Sequence, residues 1–136
     1  MDMPTTNPPV IALINSAPDT VEMLRFAFHH AGFVVVSTFT HLIRAGEVDI
    51  EAFIRQHQPL AIVYDIAPPY ATNWNLFRHL SQLPALKDRP CVITSTNPAR
   101  LRELAHTVDE ICEVVETPYL LDQLIGAVRK AAIHKR

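Results

Sequence analysis

The sequence predicts an α/β fold in which a parallel sheet is covered by helices on both faces, and three observations carry that prediction. Five short runs are apolar throughout, as strands buried on both faces must be. Each is followed by a segment whose apolar residues recur at helical spacing, so strand and helix alternate five times. The chain has 136 residues, 49% of them apolar and 19% charged, which suits one globular domain with a core of its own and leaves no room for a second. Right-handed crossovers between parallel strands then leave few topologies open.

Residues 1–9 contain Pro4, Pro8 and Pro9 and read as a flexible leader, because proline removes backbone donors and blocks regular pairing. The domain spans 10–132 and begins with the strand Val10 to Ile14. Asp19, three residues before Glu22, gives the first helix a capping-box start, with Val21, Leu24, Phe28 and Ala31 on one face and Gly32 ending it. Phe33 to Phe39 is β-branched and aromatic enough for the second strand. Thr40 to Val48 is an unusually long connection, after which Asp49 caps a helix carrying Ile50, Phe53 and Ile54 that must stop before Pro59. The third strand, Leu60 to Tyr64, leads to Asp65. The loop Ile66 to Thr72 contains Pro68 and Pro69, and Leu76, Phe77, Leu80 and Leu83 set the third helical stripe. Cys91 to Thr94 is the fourth strand, and Asn97-Pro98 supplies a cap and a first-turn proline for the fourth helix, with Leu101, Leu104 and Ala105 inward. Ile111 to Val115 is the fifth strand, Leu121, Leu124, Ile125 and Val128 line the fifth helix, and 133–136 form a basic C-terminal tail.

Composition excludes several classes of function. The formal net charge is −2, and Lys and Arg are scattered until Arg129-Lys130 and His134-Lys135-Arg136, so no basic face recommends nucleic acid. The tail reads as a solvated helix end rather than a membrane contact. No apolar stretch approaches the ~18 residues of a spanning helix, and no charged-then-apolar leader is present, so a cytoplasmic protein is expected. Cys91 and Cys112 lie in apolar runs without Cys or His at ligand spacing and read as small core residues. His29, His30, His41, His57, His79 and His106 are spread over separate elements, so no metal cluster emerges from them. With 3 Gly in the chain, none in the loops after the first or third strand, there is no dinucleotide fingerprint, phosphate-cradling loop or flavin loop of the usual kind. A Gly-x-Ser-x-Gly elbow and a His-Glu-x-x-His pair are also lacking, and an enzyme is not expected.

Asp65 is the most informative residue. It closes the run Leu60 to Tyr64 and so delivers a carboxylate to the C-terminal end of a buried parallel strand, where open α/β sheets do their chemistry. The strand predicted beside it ends in Asn15-Ser16, where an acidic pair would make a metal site. Together with their surroundings, from Val10 to about Ala132, these residues resemble a known family. Ile-Ala-Leu-Ile-Asn-Ser-Ala-Pro-Asp at 11–19 is similar to the opening of a two-component response-regulator receiver domain of the CheY-like superfamily, whose usual form is an apolar strand, Asp-Asp, then x-Pro-Asp. Asp65-Ile66-Ala67-Pro68-Pro69 resembles the family's phosphoacceptor and the loop after it. Leu76-x-x-x-Leu80, Pro84-x-Leu86 and Pro90-Cys91-Val92-Ile93 continue in step without a gap. The resemblance puts the family's switch Ser/Thr on Ser95 and its Lys-Pro pair on Thr117-Pro118, and it implies a cis bond before Pro118. It also implies a flavodoxin-like (βα)5 three-layer sandwich with a five-stranded parallel sheet of order 2-1-3-4-5.

The departures from the family matter more than the matches. Its two acids, its acceptor Asp and its Lys correspond here to Asn15, Ser16, Asp65 and Thr117, so three of the four charges are gone. Mg²⁺ wants near-octahedral oxygen ligands, and one carboxylate among neutral oxygens is a poor site, leaving at most weak Mg²⁺ at Asp65 and no other cofactor. A charge pair ~4 Å apart at an effective dielectric near 20 is worth about 4 kcal/mol, so several such terms are missing from acyl-phosphate formation. The losses are mutually consistent, because removing the acids along with the Lys avoids leaving close carboxylates to repel one another. Val114 stands where the family often has a switching aromatic.

The expectation is a degenerate, pseudo-receiver-like signalling module in which Asn15, Ser16, Ala67, Ser95 and Thr117 form the altered pocket around Asp65. The alternatives are a phosphoacceptor still modified at Asp65 by a partner histidine kinase, and a flavodoxin-like domain binding a small ligand in the same crevice. Each residue also has a plainer role: Asn15 and Ser16 as turn formers, Ser95-Thr96-Asn97 as a strand-to-helix turn, Thr117 as a backbone partner before Pro118, and Tyr70 and Trp74 as packing that could mask Asp65. The fourth helix, fifth strand and fifth helix carry Arg100, Arg102, Glu103, Glu110, Glu113, Asp122, Arg129 and Lys130, a mixed-charge face for a kinase, a downstream protein or a second copy of the chain. Output is expected to pass through another polypeptide, unless the chain is a fragment of a longer one.

Overall fold

Strands β1 (Val10–Asn15), β2 (Val34–Phe39), β3 (Ala61–Asp65), β4 (Cys91–Ser95) and β5 (Glu113–Glu116) pair in parallel in the order β2-β1-β3-β4-β5. The computed structural model describes residues 8–105, 113–116 and 121–134. The strand order is the one the sequence reading expects. Pairing begins just ahead of β1, where the carbonyl of Pro9 accepts from the Val34 N–H at 2.9 Å.

Helices α1 (Pro18–His30), α2 (Thr40–Arg44), α3 (Ile50–His57), α4 (Tyr70–Ser81), α5 (Pro84–Lys87), α6 (Pro98–Ala105) and α7 (Leu121–His134) cover the sheet. The two-residue period of a strand sorts its side chains between two cores. Ile11, Leu13, Val63 and Val92 point to one face, where Val21, Leu24 and Phe28 of α1 and Leu124 and Val128 of α7 bury them. Ala12, Ile14, Ile62, Tyr64 and Ile93 point to the other, against Ile54 of α3, Trp74, Phe77 and Leu80 of α4, and Leu101 of α6. Burial on both faces explains why these strands are continuously apolar.

Local structure departs from the sequence reading in three places. Helix α1 begins at Pro18, after a turn whose Ser16 and Ala17 amides bond to the Asn15 side chain, so Asp19 lies inside the first turn and is not the cap. Proline at the first helical position needs no amide partner, which moves the start forward. The stretch expected to be one long connection contains α2, anchored by the buried side chain of Ile43. Helix α4 starts at Tyr70, earlier than the expected loop allowed, and the short α5 separates it from β4. Other local expectations are met: the Asp49 carboxylate accepts from the Ala52 N–H at 3.2 Å, α3 stops at His57, and Gly32 takes a left-handed φ of 96° after α1.

The Tyr64 hydroxyl and the Trp74 indole N–H are buried and have no hydrogen-bond partner among the described residues. Burial pushes the Tyr64 phenol well above its usual pKa, against the pull of nearby Arg44 and with a smaller upward push from Cys91. An orphaned polar group costs about 1–3 kcal/mol. Tyr64→Phe is therefore expected to leave stability unchanged or raise it by about 1 kcal/mol in urea unfolding; a clear loss would reveal a partner for the hydroxyl.

Candidate functional site

Strand order reverses between β1 and β3, and in open α/β sheets ligands bind above the C-terminal strand ends at such a point. A cleft of about 130 Å³ lies there, walled by Asn15, Ser16, Ala17 and Thr20 on one side, by Asp65 to Pro68 on the other, and by Thr96. Ligand pockets for drug-sized molecules run to roughly 300–1,000 Å³, so this cleft is too small for a nucleotide or flavin.

Asp65 ends β3 directly beside Thr94 of β4 in the parallel register. Both side chains emerge on the α1/α7 face of the sheet, because Asp65 follows Val63 by two residues and Thr94 follows Val92 by two. The Thr94 hydroxyl donates to Asp65 Oδ1 at 2.6 Å. Burial raises the Asp65 pKa above the ordinary carboxylate range, and the hydrogen bond from Thr94 opposes that rise without cancelling it. Among the described residues, Asp65 is the only charged side chain lining the cleft.

Asn15, Ser16 and Ala67 are brought together with Asp65 around the cleft. The Asn15 side-chain oxygen accepts from the amides of Ser16 at 2.7 Å and Ala17 at 3.0 Å, which turns it toward the start of α1. Ser95 is not among the lining residues. Alternation places it on the opposite face from Thr94, where its hydroxyl accepts from the Asn97 N–H at 3.1 Å and helps form the turn into α6. The Asn97 side chain accepts in turn from the Arg100 N–H at 3.1 Å, the cap expected from the sequence. Thr117 and Pro118, with the cis bond expected between them, lie outside the described residues, as do Cys112, Glu110 and His106. The cis bond of the described residues joins Pro68 to Pro69.

Sequence reasoning missed Thr94 as a partner of Asp65, and it missed the supports of the loop after Asp65. Ile66 extends β3 by donating to the Thr94 carbonyl at 2.9 Å. Asn73 of α4 donates to the Ala67 carbonyl at 2.7 Å and accepts from Arg44 of α2, so the helix hidden in the presumed connection braces this loop. The Tyr70 hydroxyl and Thr96 hydroxyl share a hydrogen bond that ties the start of α4 to the β4–α6 turn. Trp74 is buried in the core and is not at the rim. The hydroxyl of Thr94 at the end of an apolar strand was the only signal in the sequence, and its register partner was not legible there.

No protein-family model matches the sequence, and no curated protein matches it. Solved structures do match. A sensor protein from Polaromonas sp. JS666 superposes with a TM-score of 0.74 at 19% identity, over 92% of this chain and 96% of that one. A response regulator receiver protein from Sinorhizobium medicae WSM419 gives 0.69 at 19% identity, over 95% and 98%. A response regulator from Thermotoga maritima gives 0.67 at 18% identity, over 93% and 98%. This is the CheY-like receiver fold.

A receiver domain's pocket ordinarily serves Mg²⁺, and the donor set here can be tested against that ion. Octahedral Mg²⁺ needs hard oxygen ligands at ~2.0–2.1 Å and gives up water reluctantly. Among its described lining residues the cleft offers one carboxylate, one of whose oxygens already takes the Thr94 hydroxyl, while the Asn15 oxygen is directed at backbone amides. Among the described residues no group of three His, Cys, Asp or Glu side chains converges. These residues do not fit the ion. This receiver fold also contains, among its described residues, no helix long and apolar enough to cross a membrane.

Two predictions follow from the buried carboxylate. Because its folded pKa lies above the unfolded one, the native state holds the proton longer, and stability falls as pH rises from the unfolded pKa through the folded one. Asp65→Asn keeps an acceptor for Thr94 and removes this penalty, so its urea midpoint should exceed the wild-type value at pH 7, with the difference shrinking toward pH 4, about the unfolded value. Thr94→Val should push the Asp65 pKa further up, read by ¹³C titration of the carboxyl carbon; an unchanged value would mean that the hydroxyl does not bond to the ionised carboxylate.

Proposed function

We propose that the chain is a receiver-like signal-transduction module of a two-component or phosphorelay system, degenerate at its phosphorylation pocket. It acts through protein contacts, with weak or no Mg²⁺-dependent modification of Asp65. The observation that supports this reading is the solitary charge among the described residues of the cleft: Asp65 faces Asn15, Ser16 and Thr96, and none of the described lining residues is a second acid or a cation. Phosphoryl transfer is catalysed mainly by positioning and by neutralising charge on the transferring group, and such a cleft supplies little of either. The small volume disfavours the competing reading as a small-ligand domain.

The proposed docking face is the one built from α6, β5 and α7. Its exposed residues include Arg100, Arg102, Glu103 and Asp122. Arg100 pairs with Glu103 at 3.0 Å, whereas Arg129 is turned toward the end of α1, over the Phe33 ring and onto the Ala31 carbonyl. A polar, mixed-charge surface of this kind suits a partner protein such as a histidine kinase or a downstream signalling protein, where charge complementarity sets specificity and on-rate.

The reading is tested by calorimetry with Mg²⁺ and by treatment with acetyl phosphate followed by mass spectrometry. Weak, unsaturated uptake, little label, and an Asp65→Asn variant that still binds its partner are expected. Tight uptake with rapid stoichiometric modification of Asp65 would make the chain a working phosphoswitch instead.

A further inference from the structure

The outer face of α1 carries a pattern that neither the cleft nor the core uses. Asp19, Met23, Phe26 and His30 follow one another at spacings of four, three and four residues. At 3.6 residues per turn these positions fall on one stripe about 60° wide. All four are exposed, Met23 at 48% and Phe26 at 67%, and the Phe26 ring meets the His30 imidazole edge-on with centroids 4.6 Å apart. The opposite face of the helix buries Val21, Leu24 and Phe28, so the stripe is not a displaced part of the core. Val34 of the neighbouring edge strand, 41% exposed, extends the apolar surface.

Strand addition does not account for this surface. Arg25 reaches across from α1 and donates to the Val35 carbonyl at 2.9 Å and the Ser37 hydroxyl at 2.8 Å, covering the outer edge of β2. What is offered is the helix, and its pattern is complementary to its own reverse. An acid stands at the N-terminal end, a histidine at the C-terminal end, and two large apolar side chains between them. Turned antiparallel about a two-fold axis passing between Leu24 and Arg25, the stripe sets Met23 against Phe26 of the second copy and Asp19 against its His30. Sulfur against an aromatic ring and carboxylate against an imidazole N–H are favourable pairs, whereas parallel packing would oppose like to like.

We infer that α1 is a self-association helix through which two copies of this chain pair antiparallel, on a face separate from the docking face of α6, β5 and α7. One helix pair with its flanks buries less than the roughly 1,200–2,000 Å² of a standard stable interface, so the dimer is weak and reversible.

The test is sedimentation velocity on the whole chain from about 10 μM to about 1 mM, the range in which a weak dimer forms. Wild type should shift reversibly from monomer to dimer. Phe26→Asp should remain monomeric, with the circular dichroism and melting temperature of the wild type because the side chain is exposed. Asp19→His and His30→Asp should each weaken the dimer several-fold, and the double exchange should recover it, since the reversed pairing restores complementarity. A wild type that stays monomeric throughout, a dimer that survives Phe26→Asp, or a double exchange no stronger than the single variants would overturn the assignment.

Discussion

The period of two along β3 and β4 is the constraint on which the cleft depends. It sends Asp65 and Thr94 to the same face at matching positions of adjacent parallel strands, and the hydroxyl then meets the carboxylate at 2.6 Å. The same rule sends Ser95 to the other face and into the turn before α6. A shift of one residue in the β3–β4 pairing would exchange these two roles, and the strong apolar patterning of both strands is what prevents it.

A partly buried carboxylate with one neutral hydrogen-bond donor is an uncomfortable group, and the raised pKa of Asp65 expresses that discomfort. Among the described residues no other charged side chain lines the cleft, and the Asn15 oxygen at the end of β1 is turned to backbone amides. Asn15 uses its oxygen to hold the amides of Ser16 and Ala17 in the turn that leads into α1. Among the described residues the walls of the cleft are held by the hydrogen bonds of Asn15 to backbone amides and of Thr94 to Asp65.

Rigidity around the cleft comes from both sides. Arg44 and Asn73 brace the carbonyl of Ala67, and Tyr70 reaches Thr96 across the neighbouring turn. The surfaces away from the cleft differ in chemistry. The face of α6, β5 and α7 is charged with both signs, while the outer stripe of α1 places Met23 and Phe26 in water. Two faces with such different chemistry suit two kinds of partner.

The sequence by itself determined the alternation of strand and helix, the caps at Asp49 and Asn97, the turn at Gly32 and the position of Asp65 at a strand end. These depend on residue type and spacing within a few positions. Strand order was legible through the family resemblance and is the order found. Helix α2 was not legible, because five residues are too few to show a helical period, and it is held by the burial of Ile43 and by Arg44 reaching Asn73, 29 positions away. The start of α1 was misplaced for a related reason: Pro18 and the Asn15 side chain together displaced Asp19 from the cap. The pairing of Thr94 with Asp65 also lay beyond the sequence, since it requires the register between two neighbouring strands that α4 and α5 separate along the chain. Only tertiary packing decides which residue of one strand stands beside which of the next, because that choice is made by the side chains that must be buried on both faces at once.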